Sequence, residues 1–287
     1  MIVEKNIEDT RRIVSEWNAK GFSIGLVPTM GYFHDGHLEL MKRAADTADK
    51  VVVSLFVNPT QFGPSEDLAV YPKDFDGDCA KAREVGADLL FCPEPDMVYA
   101  PRHCTEVSVG GLTEGLCGAD RPGHFTGVAT IVSKLFNIVR PNHAFFGEKD
   151  FQQLTVIRQL VTDLNFTVSI VGVPIVREPD GLAMSSRNAY LSPSEREAAL
   201  VLFQALSRIK QEVLDSDGMR HAQDLLVKAR QLIETKHQCR VDYLEIVDEK
   251  DLSPVSAVKG KCRVLGAIRI SDRIRLIDNL ALYMAQG

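Results

Sequence analysis

Only six cysteines occur in 287 residues, and no two of them form a C-x-x-C pair. Cys79, Cys92, Cys104, Cys117, Cys239 and Cys262 read instead as reduced thiols, which implies a cytoplasmic location. No stretch approaches 18 uninterrupted apolar residues, so no membrane span is expected. The opening MIVEKNIEDTRRIVSEW has no apolar signal core. Positive charge is also in short supply: 33 Lys and Arg against 39 Asp and Glu leave a net charge of −6 and a pI of about 5.7. A binder of duplex nucleic acid usually carries a basic total, so nucleic-acid partners are not expected. Three catalytic signatures are missing too: the G-x-x-x-x-G-K-[ST] phosphate loop, the G-x-S-x-G elbow and the H-E-x-x-H zinc motif.

What is present is an ordinary globular composition, 45% hydrophobic and 25% charged, long enough for a sizeable core. Short apolar runs, FSIGLV (22–27), VVVSLFV (51–57), DLLFC (88–92), HAFFG (143–147) and VSIVGVPIV (168–176), alternate with helical patterns near 7–19, 36–48, 73–85, 124–139 and 150–163. The runs lack polar alternation, as suits parallel strands covered on both faces. Strand–helix alternation of this kind predicts an α/β fold with a doubly wound parallel sheet. The pattern changes after REPDG (177–181). Ser192, Pro193 and Glu195 spell the start of a helix with a capping box. A second helix follows near 219–236, then three strand-like runs, VDYLEIVD, CRVLGAIRI and IRLIDNL. Residues 1–177 are therefore expected to form the catalytic domain and 178–287 a smaller α+β domain.

Ligands of such a sheet bind beyond the carboxyl ends of its strands, and four polar clusters fall at or near such positions. PTMGYFHDGH follows the first run. Gly31 and Gly36 permit close backbone approach, and a helix N-terminus offers N–H groups to phosphate. His34 and His37 are three apart and share one side of the first turn. The stretch by itself fits a phosphate seat, a metal site or a well-capped helix. VNPTQFG (57–63) places the neutral hydrogen-bonders Asn58 and Gln61 after the second run; a turn explains Asn58 but not Gln61. GEKDFQQL (147–154) puts Lys149 at a helix start, where the dipole disfavours a cation unless an anion binds. Gln153 lies four residues on, and Asp150 suits the helix end or a ribose hydroxyl. GLAMSSRNAYLS (181–192) sets Ser185, Ser186 and Arg187 side by side, a phosphate-gripping group or a solvated linker.

H-x-G-H-type chemistry after the first strand with a later M-S-S-R loop resembles the nucleotidylyl-transferase superfamily, with its HIGH- and KMSKS-type motifs. PTMGYFHDGH, FVNPTQF, RPGHF, FGEKDFQQL and DGLAMSSRNAYL together resemble the pantothenate synthetase (pantoate–β-alanine ligase) family over nearly the whole chain. The KMSKS-like lysines are replaced here by Ser185, Ser186 and Arg187, as is usual for that family. The resemblance implies a Rossmann-like first domain. It implies an ATP-dependent condensation of pantoate with β-alanine through pantoyl adenylate, Mg²⁺ on the phosphates with no assigned protein ligand, and a homodimer. By the same resemblance, Met30, Gly31, Tyr32, Phe33, His34, Asp35, Gly36 and His37 line adenosine and phosphates. His34 and His37 stabilise phosphate charge, and His37 is the nominal proton donor. Gln61 and Gln153 bind pantoate, Gln61 also lying near β-alanine. Gly147, Glu148, Lys149 and Asp150 contact ATP, Val176 touches adenine through its backbone, and Met184, Ser185, Ser186 and Arg187 close over the triphosphate. Asn58, Tyr71, Arg121 and His124 lie in matching motifs, yet each has a structural explanation: Tyr71-Pro72 as a helix start, RPGH as a turn.

The rival enzyme reading is a small-molecule adenylyltransferase of the same superfamily. It would want more positive charge in its acceptor pocket than Gln61 and Gln153 supply. A tRNA-binding synthetase fragment is disfavoured by the acidic balance. A silent ATP-binding protein would be free to lose His34, His37, Lys149 and Arg187.

Overall fold

The apolar runs become strands of one six-stranded parallel sheet in the computed structural model, which describes residues 1–283 other than Ser65 and Asp217. The strands are β1 (Ile2–Glu4), β2 (Ile24–Thr29), β3 (Lys50–Leu55), β4 (Leu89–Phe91), β5 (His143–Gly147) and β6 (Ser169–Val173). Their order is β1-β4-β3-β2-β5-β6. From β2 the chain builds outward through β3 and β4, then returns to add β5 and β6 on the other side. The order therefore reverses between β2 and β5, the switch point where ligands of this architecture bind. The helices are α1 (Ile7–Ala19), α2 (Asp35–Thr47), α3 (Phe75–Glu84), α4 (Pro95–Val98), α5 (Cys117–Asp120), α6 (His124–Val139) and α7 (Phe151–Asp163). Val27, Met41, Val53, Leu90 and Phe145 lie in one buried cluster, joining β2 through β5 to α2. Such two-sided burial explains why these strands carry no polar alternation.

Three elements escape the hydrophobic pattern. Strand β1 is three residues long, and its Ile2 and Val3 are 45% and 41% exposed at the sheet edge. It forms because it pairs in parallel with Leu89–Phe91, a partner far along the chain. The one-turn helices α4 and α5 are too short for a periodicity to appear. Strand β2 also runs on through Pro28 to Thr29, whose hydroxyl donates to the Ser54 carbonyl at 2.6 Å. At the other end of the sheet, Pro174 follows β6, which is shorter than its apolar run.

By its contacts the chain divides into two compact units. The first comprises Met1–Glu114, Arg121–Glu148 and Gln153–Ile175; the second comprises Gly115–Asp120, Lys149–Gln152 and Val176–Gly287. In the second, α8 (Pro193–Leu214) begins at the expected capping box. Ser192 accepts from the Glu195 N–H at 3.4 Å, and Glu195 accepts from the Ser192 N–H at 2.9 Å. A two-residue strand β7 (Arg220–His221) and helix α9 (Ala222–Glu234) follow. The expected three runs are β8 (Cys239–Asp248), β10 (Cys262–Ile270) and β11 (Ile274–Ala281), an antiparallel sheet ordered β11-β10-β8. A short β9 (Ala257–Val258) pairs with β7. Leu202, Leu206, Ile209, Leu225, Ile246, Val264 and Ile268 form its core.

Candidate functional site

Strand β2 hands the chain to α2 through two consecutive left-handed residues, Gly31 (φ 88) and Tyr32 (φ 54). Glycine adopts that conformation freely, tyrosine only at a cost. The cost is met by Asp78 of α3, whose carboxylate accepts from the Tyr32 N–H at 2.7 Å and the Phe33 N–H at 2.6 Å. Three residues further along the same helix, the Lys81 ammonium donates to the Phe33 carbonyl at 2.7 Å. The turn is thus gripped at both its donors and its acceptor. Asp78 is 1% exposed. Burial pushes its pKa up, and the two N–H bonds pull it back only part of the way. Sequence reasoning missed Asp78. It stands in the acid-rich FDGDCAKARE, and only its four-residue spacing from the buried Ala82 sets it apart.

His34 is the N-cap of α2. Its backbone N–H donates to His37 Nδ1 at 3.4 Å, and the two rings lie 4.1 Å apart, tilted by 33°. With Nδ1 accepting, the donor of a neutral His37 ring is Nε2. The Phe33 ring lies 5.6 Å from that of His37, tilted by 55°. The pair is half-buried, while Asp35 between them is exposed. Two histidine side chains and a helix N-terminus at a switch point are chemically suited to an anion.

Gln61 stands next to this turn, its Nε2 3.5 Å from the Met30 sulfur. Its Oε1 accepts from Asn58 Nδ2 at 3.0 Å. Asn58 does more than make a turn: it is 1% exposed and also donates to the Gly127 carbonyl at 3.1 Å. Arg121 and His124 converge on the main chain of Gln61. Arg121 donates to its carbonyl at 3.2 Å, and His124 Nδ1 lies 2.8 Å from the same oxygen. Arg121 also ion-pairs with Glu66. Burial pushes the Glu66 pKa up, but the Arg121 hydrogen bonds and charge outweigh it and hold the carboxyl below its ordinary value. RPGH is therefore more than a turn. Tyr71 does not begin a helix, since α3 starts at Phe75 with Asp74 as N-cap; Tyr71 is buried and meets Phe62 edge-on at 5.8 Å.

Gly147 ends β5 beside β2, and Glu148 opens a short 3-10 turn through Asp150. Helix α7 starts at Phe151, directly after the 3-10 turn that holds Lys149. Gln153 and Glu148 are half-buried in the first unit.

In the second unit, Lys149 and Ser185 line one small cavity with Leu182, Phe203 and Asp278. The Lys149 carbonyl accepts from Asn279 Nδ2 at 3.0 Å, and Asp150 is exposed. The Val176 carbonyl accepts from the Met184 N–H at 3.0 Å, closing a narrow loop over the Arg177–Ala183 bridge. Arg177 ties that loop down, with a bidentate pair to Asp278 at 2.7 and 2.8 Å and a bond to the Gly181 carbonyl at 3.0 Å. Ser185 accepts from the Arg187 N–H at 3.3 Å, Ser186 is buried, and Asn188 anchors to Ala183 and Glu178. The loop base is thus held by named bonds rather than left as a solvated linker.

Among the described residues, no group of three or more His, Cys, Asp or Glu side chains could hold a metal ion, and no helix is long and apolar enough to cross a membrane.

The family model described as pantoate-beta-alanine ligase matches residues 2–281. A pantothenate synthetase of Heliobacterium modesticaldum is 52% identical over 279 residues, covering 96% of this chain and 98% of its own. The crystal structure of pantothenate synthetase from Thermus thermophilus superimposes with a TM-score of 0.93 at 45% identity, covering 99% of this chain and 100% of that one. The pantoate-beta-alanine ligase of Francisella tularensis, solved in complex with beta-gamma ATP and beta-alanine, superimposes with a TM-score of 0.80 at 32% identity over the full length of both chains. With its parallel sheet, its histidine turn at the switch point and a match that runs from β1 to β11, the chain belongs to the pantoate-beta-alanine ligase family.

Proposed function

We propose that this chain condenses pantoate with β-alanine at the expense of ATP, giving pantothenate, AMP and diphosphate. In the first step a pantoate carboxylate oxygen attacks the α-phosphorus of ATP, and the bond to the leaving diphosphate breaks. In the second, the β-alanine amine attacks the activated carbonyl; a C–N bond forms, AMP leaves and the amine gives up a proton. Neither step needs a covalent enzyme nucleophile. Both need the reactants held in line and the growing phosphate charge met by fixed donors.

The observation that supports this reading is the hydrogen-bonded turn from Met30 to His37, set at the switch point of a chain whose family match covers residues 2–281. In the proposal, Met30, Gly31, Tyr32, Phe33, Asp35 and Gly36 surround the nucleotide. His34 and His37 donate to its phosphates, aided by the first N–H groups of α2. Gln61 and Gln153 take pantoate. Gly147, Glu148, Lys149 and Asp150 contribute to ATP binding, as do Val176, Met184, Ser185, Ser186 and Arg187, with Lys149 and Arg187 supplying positive charge. Mg²⁺ enters as part of the Mg–ATP substrate, carried by the phosphates. A cytoplasmic homodimer completes the proposal.

The test is AMP release with Mg–ATP present. It is expected only when pantoate and β-alanine are both added; release without either, or none with both, overturns the reading. His37→Ala and Lys149→Ala are expected to fold normally and to lose at least 100-fold in pantoate-dependent diphosphate exchange, since a removed charge-stabilising donor costs about that much. Near-normal exchange in both variants removes their assigned roles.

A further inference from the structure

We infer that Tyr99 is a positioning residue for pantoate: together with the Gly127 carbonyl it holds the Asn58 amide, and through Asn58 the end of the Gln61 amide that faces the substrate; this rests on the proposed pantoate role of Gln61. The argument starts at the Gly127 carbonyl, which can only accept. The Asn58 atom 3.1 Å away must therefore be Nδ2. That places Oδ1 on the other side, where it accepts from the Tyr99 hydroxyl at 2.7 Å and from Thr60 at 3.0 Å. The same Nδ2 donates to Gln61 at 3.0 Å, so the Gln61 atom facing it must be Oε1. Gln61 is left presenting its NH₂, whose partner is the weakly accepting Met30 sulfur. An NH₂ suits the carboxylate and hydroxyl oxygens of pantoate; a flipped amide would present a carbonyl and repel the carboxylate.

Tyr99 is built to hold this setting. Its hydroxyl makes the shorter of the two bonds to Oδ1 of Asn58, a side chain that is 1% exposed. The ring is fixed by the Lys134 ammonium, 5.3 Å from its centre and bonded to the Val98 carbonyl, and by His103 at 5.0 Å. Burial pushes the Tyr99 pKa up despite the Thr60 and Asn58 bonds, which keeps the hydroxyl a donor.

Steady-state kinetics with each substrate varied in turn test the relay. Tyr99→Phe is expected to raise the KM for pantoate about tenfold, the effect of losing one orienting hydrogen bond. The KM for ATP and kcat should move less than about twofold. In a Gln61→Ala background, Tyr99→Phe should add nothing further. An unchanged pantoate KM in Tyr99→Phe overturns the relay alone, provided Gln61→Ala raises it. An unchanged pantoate KM in Gln61→Ala overturns both the relay and the Gln61 assignment. Equal increases in both backgrounds mark Tyr99 as merely structural and also overturn the relay. Should Tyr99→Phe not fold, Thr60→Val at the exposed end of the same network takes its place, with a smaller rise that is again lost in Gln61→Ala.

Discussion

The Asp78 carboxylate binds the Phe33 N–H at 2.6 Å, and this contact decides the direction in which the chain enters the His34–His37 turn. Asp78→Ala would leave the N–H groups of Tyr32 and Phe33 unmet in a buried site, at a cost of about 2 kcal/mol or more. Tyr32 would then be free to leave its left-handed conformation. We expect the first unit to unfold at a temperature several degrees lower, and diphosphate exchange to fall at least tenfold even well below that temperature. Thermal unfolding and exchange at 20 °C separate the two effects. Full exchange in a destabilised protein would reduce Asp78 to a structural role.

Gly127 lets α6 press on the Gln61 turn. A Cβ there would sit 2.6 Å from the Thr60 carbonyl oxygen and 2.7 Å from the Gln61 nitrogen, both backbone atoms that cannot swing aside. Gly127→Ala should cost about 1–3 kcal/mol through overpacking and push Gln61 away from Met30. Calorimetric titration is expected to show pantoate binding weakened by tenfold or more with ATP binding little changed. Equal loss for both ligands would mean that the disturbance spreads beyond Gln61.

Gly181 plays a comparable part in the second unit. Its φ of 96 disfavours any side chain, and a Cβ would lie 2.5 Å from the Phe203 ring. That ring in turn carries Arg177, whose guanidinium lies 4.1 Å from its centre and pins the loop to Asp278. Gly181→Ala should therefore loosen residues 181–191 as well as destabilise the unit. Faster limited proteolysis within this loop than elsewhere is the expected sign; an unchanged cleavage pattern would mean that Phe203 simply moves aside.

What the chain announces locally and what it conceals can be traced residue by residue. Helix α7 is legible because Leu154, Ile157, Leu160 and Val161 recur at helical spacing, and Ser192-Pro-x-Glu195 marks a start by itself. His34 and His37 stand out because Gly31 precedes them and Gly36 lies between them. Asn58 looked like turn chemistry because its decisive partners, Tyr99 and Gly127, lie 41 and 69 residues away. Asp78 looked like any acid on an exposed helix, since the backbone groups it serves are 45 and 46 residues distant. Strand β1 has no apolar pattern of its own and exists by virtue of β4. Local periodicity carries the elements and the residue types of the site; the bonds that orient them are long-range and leave no periodic trace.

Glu195 gives the second unit a defined acid limb. Its carboxylate is held at a pKa of about 2, against an ordinary 4.5, chiefly by the Ser192 N–H and then by the Ser271 and Ser192 hydroxyls, with Arg273 adding to them. Arg273 reaches its two oxygens at 3.0 and 3.2 Å. A carboxyl whose folded pKa lies below its unfolded one binds fewer protons in the native state. Its contribution is complete above about pH 4.5 and is lost as the pH falls toward about 2. Glu195→Gln keeps the shape but removes this charge. The variant is expected to unfold at lower denaturant than the parent at pH 7, and the difference should shrink between about pH 4.5 and 2. Denaturant unfolding of both proteins across that range checks it, and a gap that stays constant with pH would show that the carboxylate charge contributes nothing to the cap.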